Sequence, residues 1–250
     1  MAGGHLMLSI VWPQNIIKTF IESVGAIAEE CKITFKQDGL VANVIDPAHV
    51  CFIGVEIPSE KFDSYEVEGN VVIPIELSKL TSILKISQKK PIKMVWGDGK
   101  TSAGMIRFEV GGIIREATLL QADAIKSVDM PSISPPIQVR LKAEEYNLGV
   151  SAVSDVGNIM KISFEDGKPI VRSDSHGDTV ELTFMDDVKV IEGSDEDAST
   201  KISVEYMKRV CKGLGDSVKV SMGNNSPLRL ESANQGCSLT WMVAPRITDD

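Results

Sequence analysis

The chain of 250 residues repeats itself, and that constrains its fold more than any single motif does. The helix-like stretch "IELSKLTSILK" (75–85) returns 127 residues later as "ISVEYMKRVCK" (202–212). Leu77, Leu80, Leu84 and Lys85 are answered by Val204, Met207, Cys211 and Lys212. Each copy runs into a segment that alternates apolar and polar residues, "IKMVW" (92–96) and then "VKVSM" (218–222). "GIIREATLL" (112–120) is answered by "GCSLTWMVA" (236–244), and the turn in "KQDGL" by that in "FEDGK", at offsets of 124 and 128. Four matches in one order, with so little drift, describe two copies of one domain, each of ordinary size. Periodicity stops in "LLQADAIKSVDMPSISPP" (119–136), where prolines, serines and aspartates suit an extended connector. The expected organisation is a first domain over 1–118, a connector over 119–136 and a second domain over 137–250.

Within each copy the spacing predicts a helix, several strands, a second helix and more strands. "PQNIIKTFIESVGAIAEE" (13–30) sets Ile16, Ile17, Phe20, Ile21, Val24 and Ile27 at helical spacing, with Pro13 where a first turn tolerates it. "AEEYNLGVSAVSDVG" (143–157) holds the same place in the second copy, with Tyr146, Val150 and Val153 on one side. Hairpins are marked by Asp-Gly pairs in "QDGLVANVI", "EDGKPIVRS" and "WGDGKTSAGMIRFEV". The fold class is therefore α+β: two similar domains of antiparallel sheet, each with its helices on one face.

No apolar run approaches the roughly 18 residues that a membrane span needs. The start "MAGGHLM" is too polar and glycine-rich for a secretion signal, so an intracellular address is expected. Cys31, Cys51, Cys211 and Cys237 form no CxxC pair, and His5, His49 and His176 are scattered among them. Free thiols are expected, with no metal site and no cofactor. "GDGKTS" (97–102) lacks the first glycine of a phosphate-binding loop, because position 94 is Met, and strand-like segments flank it. "SDSHGD" (173–178) gathers serine, histidine and aspartate in one turn, which does not build a catalytic triad. "EGSDEDAST" (192–200) lacks the glycine and distal glutamate of a calcium loop and reads as a solvated acidic segment. Nothing argues for catalysis.

One segment runs against the charge of the whole. "PIELSKLTSILKISQKK" (74–90) carries four lysines and one carboxylate in a chain of net charge -9.

"DGLVANVIDPAHVCFIGVEIP" (38–58), with its DGL and IDxxHV pattern, and the ending "MVAPRI" (242–247) resemble the sliding DNA clamps of the proliferating cell nuclear antigen (PCNA) family. The twofold repeat and the proline-containing connector fall where that family has them, so the resemblance covers nearly the whole chain. The length, short of the longer eukaryotic members, points to an archaeal clamp, cytoplasmic there and nuclear in a eukaryotic cell. The resemblance implies a ring of three subunits around double-stranded DNA, with helices lining the hole and sheets forming the outer wall.

The lining would present Lys18, Lys79, Lys85, Lys89, Lys90, Lys208, Arg209 and Lys212 to phosphates without reading bases. A trimer would carry three times -9, or -27, so these cations must be segregated; over a Debye length of roughly 8 Å the local sign of the lining outweighs distant acid. The third helix departs from the family, offering Lys142 at its start and then Glu144, Glu145 and Asp155. Its contact with DNA stays open.

The family also implies partners: a clamp-loader ATPase, and polymerase, flap nuclease and ligase bound through short peptides of the type Q-x-x-hydrophobic-x-x-aromatic-aromatic. The pocket positions carried over are Ile45, His49, Phe52, Val128, Met130, Pro227, Val243, Ala244 and Pro245. Apolar side chains and ring-locked prolines make a groove that loses little entropy on binding. Subunits would join edge strand to edge strand, through Ile113, Ile114 and Arg115 on one side and Val180, Leu182 and Phe184 on the other. The alternative from another class is a non-encircling, checkpoint-type relative acting as an interaction scaffold.

Overall fold

The computed structural model describes residues 7–102, 104–193 and 197–246. His5, residues 194–196 of the acidic segment and Ile247 of "MVAPRI" lie outside the described residues. The elements are β1 (Leu8–Trp12), α1 (Gln14–Gly25), β2 (Glu30–Lys36), β3 (Gly39–Ile45), β4 (Cys51–Pro58), β5 (Ser64–Val67), β6 (Val71–Glu76), α2 (Leu77–Ile86), β7 (Ile92–Trp96), β8 (Met105–Val110) and β9 (Ile113–Thr118). Then come β10 (Ile137–Lys142), α3 (Ala143–Val156), β11 (Ile159–Glu165), β12 (Lys168–Ser175), β13 (Asp178–Thr183), β14 (Lys189–Glu192), β15 (Ala198–Ser203), α4 (Val204–Cys211), β16 (Ser217–Met222), β17 (Leu228–Asn234) and β18 (Cys237–Val243). The second series repeats the first, element for element.

Packing divides the chain into two compact units. The first holds the described residues up to Ile45, with Gly54–Met130 and Gln235–Ser238; the second holds Asp46–Ile53, Pro131–Asn234 and the described residues from Leu239. In the first unit the strands run β5-β1-β7-β8-β9 and β4-β3-β2-β6; in the second, β14-β10-β16-β17-β18 and β13-β12-β11-β15. In both units the ladders beside α2 and α4 are antiparallel and their register repeats, Cys31 facing Ile75 as Met160 faces Ile202.

Each unit has its own core. Trp12 packs against Phe20, Phe35 and Phe62 in the first, its ring centroid 5.0 Å from that of Phe62, and its indole N–H reaches the Met94 sulfur at 3.4 Å. In the second, the Tyr146 hydroxyl meets the Met207 sulfur at 3.4 Å, joining α3 to α4 beneath their solvent faces. The four cysteines are free, with Cys31, Cys51 and Cys237 buried.

Three boundaries differ from the periodicity. α1 ends at Gly25, with Pro13 as its N-cap, although Ile27 stays buried beyond it. Ile75 and Ile202 extend the preceding strands instead of opening α2 and α4, because each pairs across the sheet in a β-ladder that suits its branched side chain. The two Asp-Gly pairs are also not equivalent. Asp166 and Gly167 both take positive φ, 50° and 76°, and form the two-residue turn between β11 and β12. In the first unit the turn is Gln37-Asp38, and Gly39 opens β3, where an added Cβ would lie 2.3 Å from the carbonyl oxygen of Ile57. The repeat therefore slips by one residue there.

"GDGKTS" lies in the connection between antiparallel β7 and β8, where Asp98 accepts the N–H groups of Lys100 and Thr101 at 2.9 and 2.8 Å. "SDSHGD" spans the end of β12 and the exposed turn into β13.

Candidate nucleic-acid face and partner loop

In the first unit, α1 buries Ile16, Ile17, Phe20, Ile21 and Val24, which leaves Lys18 and Glu22 on its solvent side. They pair at 3.8 Å with both side chains more than half exposed, a contact worth little in water. α2 buries Leu77, Leu80 and Ile83. Lys79 is half-buried and paired with Glu76 at 3.8 Å, whereas Lys85 is exposed in the last turn, where the helix dipole favours a cation. Lys89, at φ 68°, is exposed just past the helix. Lys90 is differently placed: its stem lies across the Gly111 turn, where an added Cβ would sit 2.8 Å from its Cδ.

In the second unit, α4 buries Val204, Met207 and Val210 and exposes Glu205, Lys208 and, at its end, Lys212. Arg209 is half-buried, donates to Glu205 and sits 5.5 Å from the Tyr206 ring centroid. Lys85, Lys89, Lys208 and Lys212 have no carboxylate within ion-pair distance among the described residues. A phosphate could take them without first breaking a pair.

α3 is different. Lys142 pairs with Asp187 at 2.9 Å, and this bond and charge raise the lysine above its ordinary range. Glu144 and Asp155 are exposed, and Glu145 accepts the backbone N–H of Met185 at 3.3 Å. A groove of ≈ 690 Å³ between α3 and α4 has Asn147, Ser151 and Ser154 on one wall and Lys208, Arg209 and Lys212 on the other. The cationic wall is entirely that of α4.

The peptide-pocket positions divide between the two units. Ile45, Val128 and Met130 are half-buried residues of the first. In the second, Phe52 and Val243 are buried, at 3% and 0% exposure, so their side chains belong to its core. Pro227, Ala244 and Pro245 are half-buried, and His49 is exposed at the loop tip in the left-handed region, at φ 58°. The Ala244 N–H donates to the Val50 carbonyl at 2.8 Å and joins the end of β18 to this loop.

Asp46 organises the loop. It is buried, and its carboxylate accepts the N–H groups of Ala48, Val50 and Cys51 at 3.2, 2.7 and 2.6 Å and the Tyr206 hydroxyl at 2.7 Å. Burial pushes its pKa up, but the bonds from Cys51, Tyr206, Val50 and Ala48 outweigh this and hold it below the ordinary value. A depressed folded pKa contributes stability above the unfolded value of about 3.9, and that contribution is lost as pH falls through the folded pKa. Asp46→Asn should therefore destabilise by ~2 kcal/mol at neutral pH. In urea titrations the gap to the native protein should close in acid; a gap unchanged by pH would contradict this account.

Among the terminal strands of the sheets, β9 and β13 are the two expected at subunit junctions. β9 ends the first unit's five-stranded order, with Ile113 49% and Ile114 61% exposed, and Arg115 donates to Ser82 of α2 at 2.6 Å. β13 ends the four-stranded order of the second, with Val180 and Leu182 half-buried. Phe184 is buried and stacks on Tyr146, centroids 6.2 Å apart. Leu148 and Met185, 60% and 74% exposed, add apolar surface on α3 and just after β13. Sequence reasoning missed these two. Leu148 was detectable, because it falls off the stripe of Tyr146, Val150 and Val153.

Residues 8–115 match the family model described as proliferating cell nuclear antigen, N-terminal domain. A DNA polymerase sliding clamp of Archaeoglobus fulgidus is 26% identical, over 98% of this chain and 100% of the relative. One of Thermoplasma acidophilum is 23% identical, over 92% and 95%. A solved structure of the C-terminal region of FEN-1 bound to A. fulgidus PCNA has a TM-score of 0.87 at 21% identity, covering 98% of this chain and 100% of that one. Residues 8–115 are thus similar to the N-terminal domain of proliferating cell nuclear antigen, and the chain shares the fold of A. fulgidus PCNA over 98% of its length.

Proposed function

We propose that the protein is a DNA sliding clamp, which encircles duplex DNA and tethers polymerase and other replication and repair enzymes to it. One observation carries the reading. On this fold, in a chain of net charge -9, the exposed lysines without acidic partners at Lys85, Lys89, Lys208 and Lys212 lie on or just past α2 and α4. Unpaired, exposed ammonium groups attract phosphates without fixing a register, as sliding requires. Residues 1–118 and 137–250 act as the clamp domains and 119–136 as their connector. No catalytic step is assigned to the chain; its work is binding. A clamp-loader ATPase opens and places it, and polymerase, flap nuclease and ligase dock by short hydrophobic and aromatic peptides. Its place is beside the chromosome, in the cytoplasm of an archaeal cell.

The ring closes when β9 of one copy pairs with β13 of the next, which removes two free edges at every junction. Light scattering on the eluting protein should give a mass near three chains, and a monomeric mass at working concentration would overturn closure by identical copies. Ile114→Asp, which puts a charge on the exposed edge without touching the core, should shift that mass to one chain.

A further inference from the structure

The bonds that shape residues 48–51 converge on a single carboxylate. Asp46 Oδ1 accepts from Val50 and Cys51, and Oδ2 accepts from Ala48. Among the described residues, the one side chain that reaches Asp46 from another element is Tyr206 of α4, 160 positions away, whose hydroxyl donates to Oδ2 at 2.7 Å. The Tyr206 ring is held in turn by Arg209, whose guanidinium carbon is 5.5 Å from its centroid. A carboxylate free to rotate about its own bonds would release the three backbone groups together. Those groups set the direction of His49, at the tip with φ 58°, and of the Val50 carbonyl that receives Ala244.

We infer that Tyr206 is a positioning residue for partner binding: acting through Asp46, it holds the 46–51 loop in the shape that a hydrophobic, aromatic peptide docks onto. The inference rests on the clamp reading and adds to it a structural link, because the residue that steadies the peptide loop stands on the helix that carries Lys208 and Lys212. Tyr206 touches no peptide itself.

The test is a double-mutant cycle, read by calorimetry with a synthetic peptide of the form Q-x-x-hydrophobic-x-x-aromatic-aromatic. Tyr206→Phe keeps the ring and removes the hydroxyl; it should weaken binding about fivefold, the scale of one net hydrogen bond. Asp46→Ala should weaken it about tenfold or more, since three N–H groups lose their acceptor. In the Asp46→Ala background, adding Tyr206→Phe should change nothing further, because its route to the loop is gone. A general packing role would not give that result. If Asp46→Ala does not fold, Asp46→Asn takes its place in the cycle. Native affinity in Tyr206→Phe, or two effects that simply multiply in the double variant, overturns the inference. Failure of the unaltered protein to bind the peptide would instead overturn the clamp reading on which it rests.

Discussion

Reversing charge at Lys85 and Lys212 should cut the length of DNA that a tethered polymerase copies per binding event about tenfold, while leaving the solution mass unchanged. Both side chains are exposed, and neither has a carboxylate partner among the described residues. Lys85→Glu and Lys212→Glu therefore break no internal ion pair and open no cavity. What changes is the sign met by the duplex. Each cation that neutralises a phosphate releases about 0.9 counterion, so the reversed clamp should also lose DNA at lower salt. Polymerase runs of native length would remove these residues from the DNA-facing set. A fall in mass would mean that they serve assembly instead.

Placing charge at Met130 and Pro245 should weaken partner peptides about a hundredfold and spare the ring, since an unpaired carboxylate under an apolar side chain forfeits several kcal/mol. These two positions suit the experiment because both are half-buried, whereas Phe52 and Val243 are core residues whose replacement would be confounded by unfolding. Met130→Glu with Pro245→Glu should still elute at the native mass and still load onto closed circular DNA. Undiminished peptide binding by this variant would dismiss the pocket assignment.

The parts of the fold that follow from local periodicity were readable in advance. Apolar spacing located all four helices, and Asp166-Gly167 marked its hairpin correctly, because a two-residue turn of this type needs positive φ at both positions. The misread boundaries at Ile75 and Ile202 have one cause: a branched apolar residue fits a helical stripe and a strand equally well until its cross-strand neighbour is known. Of the candidate sites, the exposed cations were legible, since a buried stripe dictates which residues point outward. Their pairing was not, as Lys142 with Asp187 shows, and the course of Lys90 across Gly111 depends on a turn that no pattern connects to it. The role of Asp46 was also out of reach, because its hydroxyl donor lies 160 residues away.

The repetition of the backbone has a last consequence. Copying the element order did not copy the surface: β9 offers Ile113 and Ile114 at one free edge, while β13 at the other is flanked by Leu148 and Met185 with acidic neighbours Glu144, Asp186 and Asp187. The two edges proposed to meet are therefore unlike, so each junction would set one surface against a different one. Contacts of that kind run head to tail, and a ring closed by them would have two unlike faces.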